Sequence, residues 1–378
     1  MAEPRPSAMA HPEGLADVSV VDMSTLVAGS SAARHLADFG ALVVKAERPG
    51  GDDLRRMGWK ITPDDDSLYW KLHSRNKRSE VVDLGGEAGR SRMWALLRGS
   101  DVLVENMRPG KLEAMGFAPE SLWAQNPGLV ILRVTGFGQD GPYASRAGFA
   151  TLAEAMSGFA SVHGEEGGPP LLPSIALTDE LAGIIGAYGV MVALWARRQT
   201  GRGQVVDVSL LESILQVMGP LPAARALLNY EQPRLGSAIP YSVPRGIYQC
   251  GDGEYVAISA SAQSVALRIL NLLGMADDAR FADHDSRVLH RTELDKLLGD
   301  WIKARSRSEV IETLVAAEAA VAPVYSMGDV ISDPHVKARQ TMIEVDGILM
   351  QGPAARLSDT PGRIRHAGER YPGSQERP

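Results

Sequence analysis

The fold is decided by residues 18–47, VSVVDMSTLVAGSSAARHLADFGALVVKAE. Val18 to Met23 and Ala41 to Glu47 are short runs of β-branched and apolar residues, which are typical of buried parallel strands. Between them a loop of small residues, Ser24 to Gly29, leads into a helical pattern from Ser31 to Phe39, and Gly40 is a common helix stop. This strand–loop–helix–strand order predicts an α/β protein with a Rossmann-like parallel sheet.

The same alternation continues along the chain. Further strands are predicted at Val81 to Leu84, Asp101 to Asn106, Leu129 to Val134 and Val205 to Val208. Polar and basic groups recur where successive strands end. Because ligands bind at the carboxyl edge of an open parallel sheet, these groups together favour a binding site at that edge.

The first unit differs from a dinucleotide-binding site in two ways. Gly29 is the single glycine of its turn, so the Gly-x-Gly-x-x-Gly pattern is missing. Arg48 follows the second strand, where an NAD site would carry an acidic residue for the ribose hydroxyls. A basic residue there suits a phosphorylated ribose, as in NADPH or coenzyme A. The alternative interpretation of Arg48 is a solvated surface charge.

Composition narrows the class of protein. The 378-residue chain has a formal net charge of −7, which argues against a nucleic-acid partner. Its one cysteine, Cys250, excludes an intrachain disulfide or a cysteine metal cluster, and it fits a cytoplasmic protein. Met1 to Pro12 lacks the apolar core of a signal peptide, and the apolar run Ile184 to Trp195 is too short to span a bilayer. We therefore expect no membrane association.

The chain is long enough for one large and one smaller domain. Residues 1–220 are predicted to form most of the large α/β domain, and 221–242, which contains prolines but has no clear period, is interpreted as a linker. Residues 243–320 are predicted to form a smaller α+β domain, with a hairpin turn at Gly251-Asp252-Gly253. Residues 321–378 are expected to return to the large domain and complete it.

Asp179 is the most informative single residue. It lies where a proline-rich loop meets a long apolar stretch, which places a carboxylate in the first turn of a helix that is expected to be buried. One interpretation is structural, with Thr178 or Asp179 as the helix N-cap. The other is a nucleophile in a site that excludes water. Asp179 alone does not decide between them.

Six segments of this sequence, taken in order, resemble the successive motifs of the class III CoA-transferases, the family of formyl-CoA transferase and carnitine CoA-transferase. The resemblance extends from about Leu15 to about Arg363. The segments are Asp22 to Gly29, Val44 to Asp53, Arg75 to Ser79, Val104 to Gly110, Gly136 to Tyr143, and Thr200 to Gln204.

The resemblance implies a mechanism. In that family an aspartate followed by two residues and then Ala/Ser-Gly is the nucleophile, and Asp179 with Ala182-Gly183 matches this pattern. The aspartate would exchange CoA between an acyl-CoA and a carboxylic acid through an aspartyl anhydride and an aspartyl-CoA thioester. The family also implies an interlocked homodimer, no metal and no permanently bound cofactor. It usually adds a helix after the segment matching Thr360-Pro361-Gly362, where this sequence has a short polar tail.

The resemblance also implies a set of residues that contact CoA. Leu26 to Ala28 would pass the pantetheine arm, Arg48 would face the adenosine phosphates, and Arg146 and Phe149 would lie near the thioester. Several family members carry a second basic residue where this chain has Ala114, so phosphate binding would depend more on Arg108 and Arg146. His163 is expected to face solvent. The full predicted set is Leu26, Val27, Ala28, Arg48, His73, Ser74, Arg75, Asn76, Asn106, Met107, Arg108, Arg146 and Phe149.

The sequence favours three alternative functions less. The 2-methylacyl-CoA racemases of this family carry a histidine where this chain has Phe149, and phenylalanine cannot transfer a proton. Formyl-CoA transferases of the oxalate type have a glutamine in place of Val27, which weakens that assignment. Finally, the chain could be a CoA-binding subunit without catalytic function in a hetero-oligomer, although the presence of Asp179 argues against this.

Overall fold

The computed structural model describes residues 13–372, so the expectation for Met1 to Pro12 lies outside the described residues. The described chain forms two compact units. The first comprises residues 13–159, 172–219 and 334–372, and the second comprises residues 160–171 and 220–333.

A six-stranded parallel sheet forms the centre of the first unit. Its strands are β1 (Ser19–Asp22), β2 (Leu42–Glu47), β3 (Lys77–Val81), β4 (Val102–Glu105), β5 (Val130–Thr135) and β6 (Val205–Ser209). Their order is β3-β2-β1-β4-β5-β6, so successive connections turn to opposite sides of β1. Open parallel sheets bind ligands beyond the carboxyl ends of the strands at this change of direction.

Helices connect the strands. Along the chain they are α1 (Ala28–Asp38), α2 (Leu68–His73), α3 (Glu87–Arg98), α4 (Lys111–Ala114), α5 (Pro119–Gln125), α6 (Ala150–Met156), α7 (Phe159–Val162), α8 (Leu177–Thr200) and α9 (Leu210–Leu215). On one side of the sheet, apolar side chains of α3 and α5 pack against β4 and β5, and Phe117 and Leu103 are fully buried in this cluster. The mixed α/β class predicted from the sequence is confirmed.

Strand β3 begins four residues before its predicted start at Val81. The reason is a charge: Lys77 is fully buried, and its ammonium donates to Asp22 Oδ2 over 2.8 Å and to the carbonyl of Ser30 over 2.7 Å. A strand that carries a buried lysine cannot be recognised in the sequence as an apolar run. The predicted segment Val81 to Leu84 therefore falls mostly beyond the carboxyl end of the strand.

Helix α8 is longer than the apolar run Ile184 to Trp195. By length and composition alone it could cross a membrane, although part of it is buried against the rest of the chain, as in a core helix. Its N-cap is Ala176, which has no side-chain cap, and Asp179 is the third helical residue. The interpretation of Thr178 or Asp179 as the N-cap is therefore wrong.

Helices α1 and α8 pack at very short range. A Cβ built on Gly183 would lie 2.6 Å from the Ser31 Cβ and 3.2 Å from the Ala28 carbonyl oxygen. One built on Gly186 would lie 3.4 Å from the Ala32 Cβ. The glycines of α8 thus let its first turns approach the start of α1 closely.

The second unit contains an antiparallel sheet of three strands, β7 (Arg245–Gln249), β8 (Tyr255–Ser259) and β9 (Val321–Pro323), in that order. Its core is formed by apolar residues such as Val256, Ile269 and Leu298, and Gly251-Asp252-Gly253 makes the turn of the predicted hairpin. Its elements are α10 (Leu221–Leu228), β7 (Arg245–Gln249), β8 (Tyr255–Ser259), α11 (Gln263–Leu272), α12 (His284–Leu289), α13 (Arg291–Lys303), α14 (Arg307–Ala316), β9 (Val321–Pro323) and α15 (Met327–Ser332).

Two predicted boundaries differ from the structure. The segment 221–242 carries helix α10, whose Pro220 and Pro222 lie in the cap and first turn, where proline is compatible with a helix. Residues 321–333 belong to the second unit because β9 pairs with β8. The return to the first unit begins at residue 334 with α16 (Pro334–Ala338), followed by the hairpin β10 (Met342–Val345) and β11 (Ile348–Gln351).

The polar segment after Thr360-Pro361-Gly362 is bonded into the first unit as far as it is described. The carbonyl of Glu369 accepts from Trp70 Nε1 over 2.7 Å, and that of Gly368 accepts from Lys71 Nζ over 2.9 Å. The Arg365 N–H donates to Asn76 Oδ1 over 2.7 Å. The sequence alone did not predict these long-range contacts.

We predict that Gly183→Ala destabilises the protein, because the new methyl group would press α8 away from α1. Overpacking of this kind costs about 1–3 kcal/mol and should lower the melting temperature. Gly299→Ala is the matched control: it is also in a helix, but its nearest neighbour, Tyr248 Cδ1, would be 3.9 Å away. It should be neutral or stabilise by about 0.5–1 kcal/mol. Equal melting temperatures for the two variants would contradict the close packing.

Candidate active site

A cleft of about 270 Å³ opens at the carboxyl edge of the sheet, where the chain connections from the neighbouring strands β1 and β4 run in opposite directions. Asp179 lies in its wall, together with the loop after β1 and the loop after β4. Eight of the predicted CoA contacts line the same cleft: Leu26, Val27, Ala28, Asn106, Met107, Arg108, Arg146 and Phe149. The structure thus brings the predicted nucleophile and most of the predicted CoA contacts to one place.

Asp179 has an unusual electrostatic environment. Burial, reinforced by the negative charges of Glu154 and Glu180, raises its pKa to about 6. The carboxylate accepts no hydrogen bond from a described side chain, so its oxygens are not committed to a structural partner. A half-buried, unpaired carboxylate beside a cleft is suited to act as a nucleophile.

The two neighbours of Asp179 hold the first turn of α8 in place. Thr178 is fully buried, and its hydroxyl donates to Glu154 Oε1 over 2.8 Å. Glu180 accepts from the Ser31 hydroxyl over 2.7 Å and from Arg34 Nη2 over 2.9 Å. These two contacts lie on either side of Asp179, so they fix its backbone while leaving its side chain unbonded.

A second cleft, of about 380 Å³, contains Arg48. It shares Thr25 and Met107 with the first cleft, so the two clefts adjoin, and together they are called the groove. Arg48 is more than half exposed and pairs with Asp53 over 2.7 Å. The structure places the Arg48 guanidinium in a cleft that adjoins the one holding Asp179.

The second cleft includes residues that the sequence did not predict. The run Val82 to Gly85, which directly follows β3, forms one wall, and Met93, Lys111 and Met115 also line it. The strand-end rule would have identified this run if β3 had been placed at Lys77–Val81. Lys111 adds a basic residue close in sequence to Ala114.

His73, Ser74, Arg75 and Asn76 line neither of these two clefts, and their contact with CoA stays a prediction. All four are buried. Arg75 makes a bidentate ion pair with Asp38, at 2.5 and 3.0 Å, and donates to the Gln351 carbonyl over 2.6 Å. Burial, aided by the positive charge of Arg34, holds the pKa of His73 well below its usual value, so its ring is neutral. Arg75 and Asn76 thus anchor later segments of the chain, at Gln351 and Arg363.

Asn106 lines the first cleft, but its amide is already engaged. Its Oδ1 accepts from the Thr25 N–H over 2.8 Å, and its Nδ2 donates to the Thr25 carbonyl over 2.7 Å. This reciprocal pair joins the loop after β4 to the loop after β1. Asn106 therefore shapes the cleft through Thr25, whatever contact it also makes with a ligand.

Arg108, Arg146 and Phe149 project from the surface into the cleft. Both arginines are exposed, and the Arg146 guanidinium lies 3.9 Å from the centre of the Tyr143 ring. Phe149 is 59% exposed in this single chain. The cleft thus combines one carboxylate, two cations without a described ion-pair partner, and an aromatic side chain.

Comparison with known proteins identifies the family. Residues 15–370 match the model of CoA-transferase family III. The chain belongs to this family, and the protein is an enzyme, a CoA-transferase, whose substrates are CoA thioesters.

Individual relatives agree with this assignment. The chain is 38% identical to the beta subunit of succinyl-CoA–L-malate CoA-transferase from Chloroflexus aurantiacus, covering 94% of this chain and 90% of the relative. It is 36% identical to succinyl-CoA–D-citramalate CoA-transferase of the same organism, covering 96% and 92%. Its fold matches the crystal structure of a CaiB/BaiF family protein from Brucella suis with a TM-score of 0.85, at 30% identity over 95% of this chain and 96% of the other.

The raised pKa of Asp179 predicts the pH dependence of the reaction. If Asp179 is the nucleophile, its carboxyl group, with a pKa of about 6, cannot attack while it is protonated, so kcat/KM should rise with pH through about 6. Glu154→Gln removes one negative neighbour while it keeps an oxygen for the Thr178 hydroxyl. This variant should shift the acidic limb of the kcat/KM profile to lower pH, whereas an exposed variant far along the sequence, Glu312→Gln, should not. An unchanged limb in Glu154→Gln would contradict this assignment.

Proposed function

We propose that this enzyme exchanges CoA between succinyl-CoA and a dicarboxylic acid of the malate or citramalate type. The proposal is supported by the substrates named for its relatives, which pair succinyl-CoA with L-malate and with D-citramalate. The single observation that carries it is the unpaired Asp179 carboxylate in the wall of a groove that also holds cations. The description of the sheet as Rossmann-like belongs to the same proposal, supported by its strand order.

In the proposed mechanism Asp179 is the nucleophile. A carboxylate oxygen attacks the thioester carbon of the donor, and the carbon–sulfur bond breaks. The products of this step are a mixed anhydride of Asp179 and the donor acid, and free CoA thiolate. The thiolate then attacks the aspartyl carbonyl, which releases the donor acid and leaves an aspartyl-CoA thioester. The acceptor carboxylate attacks this thioester to form a second anhydride, and the thiolate attacks the acceptor acyl carbon, which regenerates Asp179.

The groove gives each part of the substrates a place. The thioester would lie beside Asp179, and the pantetheine arm would pass Leu26 to Ala28. The phosphorylated ribose would reach Arg48 at the far end of the groove, where a charge-assisted bond to phosphate would replace the ion pair with Asp53. Arg108 or Arg146 would then be available for the second carboxylate of a dicarboxylic substrate.

The racemase alternative needs a base at the position of Phe149, and the first cleft contains no histidine among its lining residues. The subunit alternative gains weight from relatives that are named as beta and alpha subunits of succinyl-CoA–L-malate CoA-transferase. The Asp179 carboxylate, which is unpaired and has a raised pKa, still favours a catalytic chain.

We propose a homodimer for the assembly, interlocked as in the family. Support comes from α8, which exposes apolar side chains at helical spacing, among them Ile184, Tyr188 and Trp195, each more than half exposed. Beside them lies an apolar groove of about 410 Å³. A second chain would cover this surface. A cytoplasmic location is part of the same proposal and is supported by the single, reduced Cys250.

Asp179→Ala should abolish CoA exchange between succinyl-CoA and malate while the melting temperature stays close to that of the wild type. Hydroxylamine added during turnover should convert Asp179 of the wild type to a hydroxamate, detected by peptide mass mapping. Glu154→Gln is the matched control and should retain trapping. Substantial exchange by the alanine variant would contradict the mechanism.

Deuterium uptake from D₂O by a 2-methylacyl-CoA without an acceptor acid would instead favour the racemase.

Substitutions at the two ends of the groove should raise the KM values of different substrates. Arg146→Gln should raise the KM for malate more than the KM for succinyl-CoA, because it removes a charge-assisted bond of about 1.5–3 kcal/mol to the second carboxylate. Arg48→Gln should do the reverse, and its effect should vanish with a donor that lacks the 3′-phosphate. If Arg146→Gln instead raises only the KM for succinyl-CoA, Arg146 binds CoA phosphate, as the sequence predicted.

A further inference from the structure

Leu26 has a backbone conformation that leucine rarely adopts. Its φ is +60°, in the left-handed region, although it carries a side chain. Such a conformation is strained for residues other than glycine and persists only where the surroundings impose it. Leu26 lines the first cleft, two residues before α1 begins at Ala28. The strain is therefore located in the loop that faces Asp179.

The Asp52 side chain bonds to the backbone of Leu26. Its Oδ1 accepts from the Leu26 N–H over 3.2 Å and from the Leu54 N–H over 2.9 Å. The carboxylate is only 2% exposed, and its Oδ2 lies 3.2 Å from Lys45 Nζ, which is itself fully buried. Its backbone N–H donates to Glu47 Oε2 over 3.0 Å. Asp52 is thus held on both sides and cannot follow Leu26 if the loop moves.

The preceding loop residues have other partners. The Ser24 carbonyl accepts from Lys45 Nζ, and Thr25 is paired through both its N–H and its carbonyl with Asn106. Within residues 13–372, Asp52 is the side chain bonded to the Leu26 amide. Loss of Asp52 would therefore remove the side-chain partner of the Leu26 amide, while the Ser24 carbonyl keeps Lys45 and Thr25 keeps Asn106.

We propose that Asp52 is a positioning residue of this enzyme: it holds Leu26 in the left-handed conformation that aims the start of α1 at Asp179. The kinetic part of this inference rests on the proposed function. The structural part does not. The competing explanation is that Asp52 acts only as the N-cap of the short 3₁₀ turn Asp53–Arg56, because its side chain also accepts from the Leu54 N–H.

The first test is hydrogen-exchange mass spectrometry of peptides that span residues 24–30, with the full-length protein. Asp52→Ala should accelerate exchange in this peptide. The matched control is Asp278→Ala, which removes an aspartate that caps another short 3₁₀ turn, Ala279–Phe281. It should leave the peptide unchanged. If Asp52→Ala does not fold, Asp52→Asn carries the test, because a neutral acceptor forms a weaker bond and exchange should still increase. Unchanged exchange in the variant that folds would overturn the proposal, whatever reaction the enzyme catalyses.

The second test asks whether Asp52 acts through the backbone of Leu26. Asp52→Ala should lower kcat about fivefold to thirtyfold, the factor that corresponds to the cost of a left-handed residue with a side chain. In a Leu26→Gly background the same change should cost less than about threefold, because glycine adopts this φ without strain. The KM for succinyl-CoA should change less than kcat.

An equal loss of kcat in both backgrounds would overturn the positioning role and leave Asp52 as a cap only. Failure of the proposed function has a different signature: none of the variants, including the wild type, would exchange CoA, while the difference in hydrogen exchange would persist.

Discussion

Two lysines of the sheet are completely buried, Lys45 within β2 and Lys77 at the amino end of β3, and the rest of the site depends on how their charges are balanced. Lys77 Nζ lies 2.8 Å from Asp22 Oδ2, and Lys45 Nζ lies 3.5 Å from Asp22 Oδ1 and 3.2 Å from Asp52 Oδ2. Although burial opposes it, the two ammonium groups lower the pKa of Asp22 to about 2. Burying an ion costs several kcal/mol unless it is paired, so removal of one member would leave an uncompensated charge.

This cluster determines the shape of the cleft because its members also bond to the loop after β1. Lys45 holds the Ser24 carbonyl, Lys77 holds the Ser30 carbonyl within α1, and Asp52 holds the Leu26 amide. The start of α1 is therefore fixed to the ends of β2 and β3. Since α8 packs on α1 through Gly183, the same constraint reaches Asp179. Charge pairing in the sheet and close helix packing together place the carboxylate at the cleft.

The sequence predicted those parts of the structure that follow from apolar periodicity. Strands such as β4 and β5, which are apolar except for Glu105, Arg133 and Thr135, were identified close to their true bounds. Strand β3 was misplaced because its buried lysine looks like a surface residue, and this error hid Val82 to Gly85 as cleft residues. The roles of His73 to Asn76 could not be predicted either, since their partners are distant in sequence: Arg75, for example, bonds to the carbonyl of Gln351. A local pattern does not contain contacts of this range.

In the proposed reaction Asp179 must be nucleophile and leaving group in turn. A higher pKa makes a carboxylate a better nucleophile but a poorer leaving group, and an ordinary carboxyl group titrates near about 4. Burial and the two flanking glutamates raise the pKa of Asp179 to about 6. Arg34 and the Thr178 hydroxyl each bond to one of those glutamates, which limits their repulsion of Asp179. Asp179 is therefore more basic than an ordinary carboxyl group. Each proposed intermediate anhydride joins Asp179 to a substrate acid, and CoA thiolate can attack either of its two carbonyls, which is what a reversible exchange of CoA between two acids requires.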